Sequence, residues 1–301
     1  LKQLHQFSIW GIDMIRLDAI PFIWKTLGTT CRNLPEVHVL MRIFRAFRDL
    51  TCPHLALLGE AIVEPHEIVK YFGTDDAPEC DFMYNANLMV NLWNTVATQD
   101  ARLLNIDANR FELPKHGAWL NYIRCHDDIG WGFNEDALSR FGFDPFLHKQ
   151  FLISFFNGSF KGSFSKGVDY QKNEKTKDAR TNGMFASLIG IEDSKNQQAS
   201  MLLELSMKRM RMLNAILFFY QGAPMIYAGD DIGMTNDLSY LKNELKKNDS
   251  RWIHRPFYDW KLYSKVIKNQ VDTAQIFHDL KQFIHLRKLN VLLHPFVQQR
   301  A

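Results

Sequence analysis

Five times along this chain a short apolar run closes on a polar or acidic residue and gives way to a helical stretch. The runs cover residues 12–17, 55–58, 82–84 (the weakest), 120–124 and 224–227. Four of them end in charge: Asp18, then Glu60 after Gly59, then His126-Asp127-Asp128, then Asp230-Asp231 after Gly229. Helical spacing of apolar residues is clearest over 35–49, where Val37, Leu40, Ile43 and Phe44 share a face. Further helices are expected over 65–71, 88–104, 198–219 and 273–289, and the first residues read as the end of a helix entering a strand. Strands that alternate with helices pair in parallel through right-handed crossovers. Carboxylates at the ends of such strands place chemistry at the C-terminal face of a (β/α) barrel. The expected fold class is therefore α/β, a partial (β/α)8 TIM barrel, because five strands are counted where closure needs eight.

The pattern lapses over 133–192, a stretch rich in Gly, Phe and Lys and too long for a plain loop. This divides the chain into a barrel segment 1–132, an inserted subdomain 133–192, and the last barrel units with a terminal helix, 193–301. No internal repeat is found. A net charge of +3 over 301 residues offers no field for nucleic acid. The longest uncharged stretch, 212–229, is broken by Asn214, Gln221, Gly222 and Pro224, so no membrane partner is expected. Four cysteines without a CxxC pair, and no signal peptide, suit a cytoplasmic chain. The chain starts without Met, and a piece of something longer is expected.

Arg16 and Asp18 are two apart on a strand and so reach the same side. The Arg would keep the carboxylate ionised and aimed, as a carboxylate nucleophile requires, although taken alone a structural ion pair at a strand end is the plainer reading. Glu60 follows an apolar run and precedes Ala61, surroundings that raise a carboxyl pKa and suit a general acid. A solvated or capping Glu is the plainer alternative. For His126-Asp127-Asp128 a metal reading is weak: neighbours on a strand alternate sides, and no second His or Cys is suitably spaced. A turn with capping aspartates is the other reading. Taken as a set, three strand-end carboxylates are what glycosidic chemistry needs.

The segment GIDMIRLDAIPFIWK resembles the nucleophile motif of the α-amylase superfamily (glycoside hydrolase family 13). LLGEA resembles its acid/base motif, and YIRCHDDIGW its third-carboxylate motif in the form seen in amylosucrases. NLPEVHVLMRIF, LWNTVAT, GSFKGSF, GVDYQKN and NDSRWIHRP are also similar to amylosucrase segments, so the resemblance runs from about Gly11 to Pro256. It implies barrel strands of about 4 to 8 with an amylosucrase-type insertion. By the same resemblance Asp18 would be the nucleophile, Glu60 the general acid/base, and Asp127 the carboxylate gripping the distorted glucosyl ring. Arg16 and His126 would line the glucosyl subsite. Asp128 and Arg180 would border the leaving group or acceptor, with Gln171, Asn173 and Asp76 as further acceptor-side contacts. Arg251 would pair with an aspartate from an earlier barrel loop and close the pocket floor. Cys125 departs from the Asn or Ser usual there, and Asp231 from the more frequent Glu. The superfamily's first conserved region, with Asp and Asn-His, is absent, as are amylosucrase's helical N-terminal and β C-terminal domains.

The implied reaction is retaining glucosyl transfer from sucrose to an α-1,4-glucan or water, releasing fructose, with no metal and no cofactor. Sucrose and glucan are the implied partners, with a separately encoded barrel half as a further one. Two alternatives stay open: another α-amylase-type glycosidase or trehalose synthase, and a catalytically inactive truncated chain. The 301 residues on their own are expected to be inactive.

Overall fold

The computed structural model describes residues 1–108 and 110–297. Its frame is a parallel sheet: β1 (Met14–Leu17), β2 (Ala56–Gly59), β3 (Phe82–Tyr84), β4 (Ala118–Tyr122) and, after an antiparallel hairpin of β5 (Val168–Tyr170) and β6 (Arg180–Asn182), β7 (Ala223–Met225). The order is β1-β2-β3-β4-β7, with Met14 opposite Ala56, Leu17 opposite Gly59 and Tyr84 opposite Leu120. Because every strand runs the same way, all their C-terminal ends, and the residues just beyond, meet on one face.

Period-two alternation assigns each strand face. Met83 packs outward with Ile20, Val37, Tyr71 and Phe72, beneath the helix Pro35–Thr51. Phe82 and Tyr84, out of phase with it, join the larger core of Leu120, Tyr122 and Trp93. A side chain at Gly59 would place its Cβ 2.6 Å from Met83 Sδ, so β2 and β3 approach closely only because this residue has none. At the opposite end of the sheet, Arg48 Nη2 reaches both oxygens of Asp81 at 2.6 and 2.7 Å. Asp81 Oδ2 also accepts from Leu57 N at 2.8 Å, which pins that helix to the start of β2 and β3.

Most expected helices form near their anticipated bounds, including Lys2–Ile9, Ser200–Phe219 and Ala274–Leu289. The helix expected over 88–104 is instead two, Ala86–Thr98 and Arg102–Ala108. Gln99 turns left-handed at φ +58°, and Asp100 Oδ1 accepts from Arg102 N at 2.9 Å as the cap of the second helix. β4 lies two residues earlier than expected, so residues 123–128 run as a loop beyond it.

Residues 133–192 fold into the helices Glu135–Arg140 and Pro145–Phe156, the β5–β6 hairpin, and two short helices, Phe185–Leu188 and Ile191–Asn196. Their aromatic side chains share the core of the sheet: Phe156 stacks on Trp131 (5.1 Å between centroids) and meets Trp93 edge-on (5.3 Å). The helix Trp260–Ile267 also lay outside the sequence reading.

The sheet does not close among the described residues. β1 and β7 each have one neighbour. Phe296, near the chain end, rests on Phe82 at 5.4 Å, on the same strand face as Tyr84. No helix of the described residues is long and apolar enough to cross a membrane.

Candidate active site

The C-terminal ends of β1 to β4 surround a cleft of about 280 Å³ lined by, among others, Arg16, Glu60, Tyr84, Tyr122, His126, Asp127, Asp128, Arg180 and Arg251. Asp18 follows β1 directly and stands at its open rim, 75% exposed, with Arg16 Nη1 donating to its Oδ1 at 2.5 Å. Glu60 follows β2. Backbone hydrogen bonds tie the two ends together, from Glu60 N to Leu17 O (2.9 Å) and from Ile20 N to Glu60 O (3.1 Å). Between them Ala19 adopts a left-handed conformation, φ +48°, costing about 1 kcal/mol or more for a non-glycine residue. In that conformation its N–H donates to Glu60 Oε2 at 2.8 Å.

Burial pushes the Glu60 carboxyl above the ordinary Glu value. The Ala19 N–H and the Arg16 guanidinium oppose this, while the charges of Asp18 and Asp127 add to it. A buried carboxyl whose hold on its proton is raised, beside an ion-paired, exposed carboxylate, is an arrangement able to divide the roles of acid and nucleophile.

Asp127 lies in the loop after β4, and most of its partners are cationic. Its Oδ1 faces Arg255 Nη2 at 3.2 Å and Arg251 Nη1 at 3.6 Å, while Oδ2 faces His126 Nε2 at 3.1 Å. The loop is held from behind. The His126 carbonyl accepts from Arg255 Nε (2.8 Å) and from His254 Nε2 (3.1 Å), and His254 Nδ1 accepts from Gly183 N (3.2 Å). Burial and Arg124 push the His254 imidazole down to about 3, so this neutral tautomer is fixed by its two partners.

Deeper still, Arg124 donates to Cys125 O (2.7 Å), sits 4.2 Å from the Tyr227 ring centre, and pairs with fully buried Asp230 at 3.5 Å. Burial raises the Asp230 carboxyl to about 6. Arg124→Met leaves that carboxylate without its partner, at an expected cost of about 3–5 kcal/mol. Urea melts at pH 7 measure it, and a loss below 1 kcal/mol would show that the pair does not support the loop.

On the other wall, Arg180 Nη1 meets Asp128 Oδ2 at 3.2 Å, joining β6 to the 123–128 loop. Arg251 is gripped by Asp249 through Nε to Oδ1 (3.0 Å) and Nη2 to Oδ2 (2.9 Å), and it lies 5.0 Å from the Tyr170 ring centre.

No protein-family model matches the chain. It is 25% identical over 291 residues to glucosylglycerate phosphorylase of Escherichia coli, covering 95% of this chain and 48% of that one. It is 28% identical over 234 residues to the trehalose synthase/amylase TreS of Mycolicibacterium smegmatis, 77% of this chain and 33% of that one. Among solved structures, sucrose 6F-phosphate phosphorylase from Thermoanaerobacter thermosaccharolyticum superposes with a TM-score of 0.67 at 20% identity, over 94% of this chain and 50% of that one. Over most of its length the chain is similar to enzymes of the α-amylase superfamily, glycoside hydrolase family 13.

The sheet is a partial (β/α)8 barrel, and the chain spans about half the length, or less, of these relatives. Of the residues singled out in the sequence, Arg16, Glu60, His126, Asp127, Asp128, Arg180 and Arg251 line one cleft, with Asp18 at its rim. Three others lie elsewhere. Asp76 sits in the turn that precedes β3, where its neighbour Asp75 accepts from Lys115 N. That connection runs from helix to strand and opens on the sheet's N-terminal end, away from the cleft. Gln171 and Asn173 occupy the exposed β5–β6 turn. Gln171 is left-handed there (φ +49°), and Asn173 Oδ1 caps the turn by accepting from Lys175 N (2.9 Å) and Thr176 N (3.1 Å). Arg251 takes its shorter carboxylate contact from Asp249 of its own loop and a longer one, 3.6 Å, from Asp127 of the earlier loop after β4.

Arg255 and Tyr84 were missed. Arg255 falls one helical turn after Arg251 in NDSRWIHRP, and that spacing was the available signal. Tyr84 ends the one strand without a terminal charge, and its ring centre lies 5.6 Å from Arg16 Cζ.

Proposed function

We propose that the chain carries the donor site of a retaining α-glucosyl-transferring enzyme. Asp18 attacks the anomeric carbon while Glu60 protonates the departing oxygen. Asp127 and Arg16 hold the glucosyl ring, and Glu60, now a carboxylate, takes the proton of the incoming acceptor. Double displacement preserves the anomeric configuration and calls for carboxyl groups about 5–5.5 Å apart in the closed site. The observation that carries the reading is the pairing of two carboxyls in opposite environments on adjacent strands: Asp18 exposed and held by Arg16, Glu60 buried and raised.

Sucrose is the proposed donor and an α-1,4-glucan end the proposed acceptor, with residues 133–192 as the acceptor-side wall, on the strength of Arg180 bridging β6 to Asp128. A polypeptide supplying the remaining barrel strands is the proposed partner, and the four free thiols suit the cytoplasm. A second reading, inorganic phosphate as acceptor, draws on Arg180 and Arg251 facing the same cleft and on the phosphorylases among the relatives.

Product analysis separates these readings. A chain whose barrel has been completed is given sucrose with maltooligosaccharide, with phosphate, or with water alone. Elongated glucan is the expected main product, whereas glucose 1-phosphate would transfer the assignment to phosphorolysis. Arg180→Ala is expected to lower transfer to glucan about tenfold or more, the worth of one charge-assisted hydrogen bond, while sparing fructose release. Equal losses in both would place Arg180 on the donor side.

A further inference from the structure

The end of β4 at Tyr122 has a second consequence. Were residues 123–128 extended, successive side chains would point to opposite sides, and Cys125, His126 and Asp127 would diverge. In the loop they converge instead, and one ligand atom from each lies within 4.8 Å of the others. The two oxygens of Asp127 are differently engaged. Oδ1 faces the guanidinium groups of Arg255 and Arg251, whereas Oδ2 faces His126 Nε2 at 3.1 Å. That 3.1 Å is close to the edge between two ligands of a tetrahedral ion with bonds near 2.0–2.1 Å. The Cys125 thiol is free and half-buried beside them. An imidazole, a thiolate and a carboxylate, with a fourth position open to the cleft, match the donor preferences of zinc-class ions and mismatch those of calcium or magnesium.

We propose that Cys125, His126 and Asp127 form a binding site for a borderline-soft divalent cation of the zinc class, seated in the cleft and exclusive of sugar. The consequence for sugar rests on the proposed function, because the ion occupies the carboxylate assigned to the glucosyl ring. Metal binding itself rests on the loop geometry alone. The flanking arginines weaken the site, so it is an occupied-or-open switch rather than a permanent structural centre.

The test uses the intact 301-residue chain, kept reduced and dilute, titrated with Co2+ in the absence of sugar. Formation of the thiolate-to-cobalt absorption band reports a sulfur ligand. The band is expected in the wild type, lost in Cys125→Ser with affinity at least about tenfold weaker, and unchanged in Cys31→Ser, which removes the other partly exposed thiol. Asp127→Asn weakens binding and keeps the band. Circular dichroism checks that each variant retains its helices. A band of the same strength and affinity in Cys125→Ser, or no band in the wild type, overturns the proposal. Asp18→Asn binds cobalt as the wild type does, so failure of the metal site and failure of the glucosyl-transfer reading are separable.

Discussion

Asp18→Asn is expected to lower kcat/KM for sucrose, the proposed donor, by about 10⁴-fold or more, measured in a chain whose sheet has been completed by the remaining barrel strands. The amide keeps the shape and the contact with Arg16 but cannot form the covalent bond on which the two-step reaction depends, and removing a nucleophile elsewhere has cost that much. Binding changes little by comparison, since the loss falls in kcat. Glu60→Gln behaves differently. It spares the first step for donors with good leaving groups, which depart without a proton, while slowing the second step that needs a base, and it removes the raised carboxyl limb from the pH profile. Near-wild-type turnover by Asp18→Asn would remove the nucleophile assignment while leaving the fold and the superfamily untouched.

The second large effect concerns the 301 residues alone, which are expected to release no detectable fructose from sucrose. The cleft has walls on the β2, β3, β4 and β6 sides, but Asp18 lies on the edge strand with three-quarters of its side chain in solvent. A carboxylate in that setting is held by Arg16, its sole side-chain partner among the described residues, but is not desolvated. The edge next to it is strongly apolar: Ile9, Trp10, Ile12, Trp24 and Leu27 are all exposed. Covering several hundred Å² of such surface is worth on the order of 10 kcal/mol at about 25 cal/mol per Å². The chain is therefore expected to fold its core, around fully buried Trp93, Phe156 and Phe185, and to self-associate through its edges rather than remain a monomer. Sedimentation against concentration, with a fructose assay on each fraction, checks both halves. A monomer that turns over sucrose would show that the remaining strands are dispensable.

The strand ends were the readable part of this site. Asp18, Glu60 and the 126–128 group each directly close an apolar run or lie a few residues beyond one, and parallel pairing brings such ends together. Glu60's burial was also readable from its apolar approach and small neighbours. What escaped were features decided by loops. Asp76 looked like one more acidic residue, but a helix-to-strand connection leaves it on the wrong end of the sheet. Gln171 and Asn173 fall in the exposed β5–β6 connection, the one left-handed in its backbone and the other a cap, which periodicity does not register. The convergence of Cys125, His126 and Asp127 was hidden for the same reason: alternation applies only within a strand, and β4 stops at Tyr122. Arg255 reaches Asp127 across more than a hundred residues of chain. Only the fold joins them.

The central claim is that Asp18 becomes glucosylated, and it can be measured directly. The barrel-completed chain, carrying Glu60→Gln to slow release of the sugar, is incubated with an activated glucosyl fluoride, quenched in acid and digested, and the peptides are mapped by mass spectrometry. The account predicts one added glucosyl unit on the peptide containing Arg16 and Asp18, localised to Asp18 and absent after Asp18→Asn. A glucosyl adduct on another residue, or turnover with the Asp18 peptide unmodified at every quench time, would contradict it.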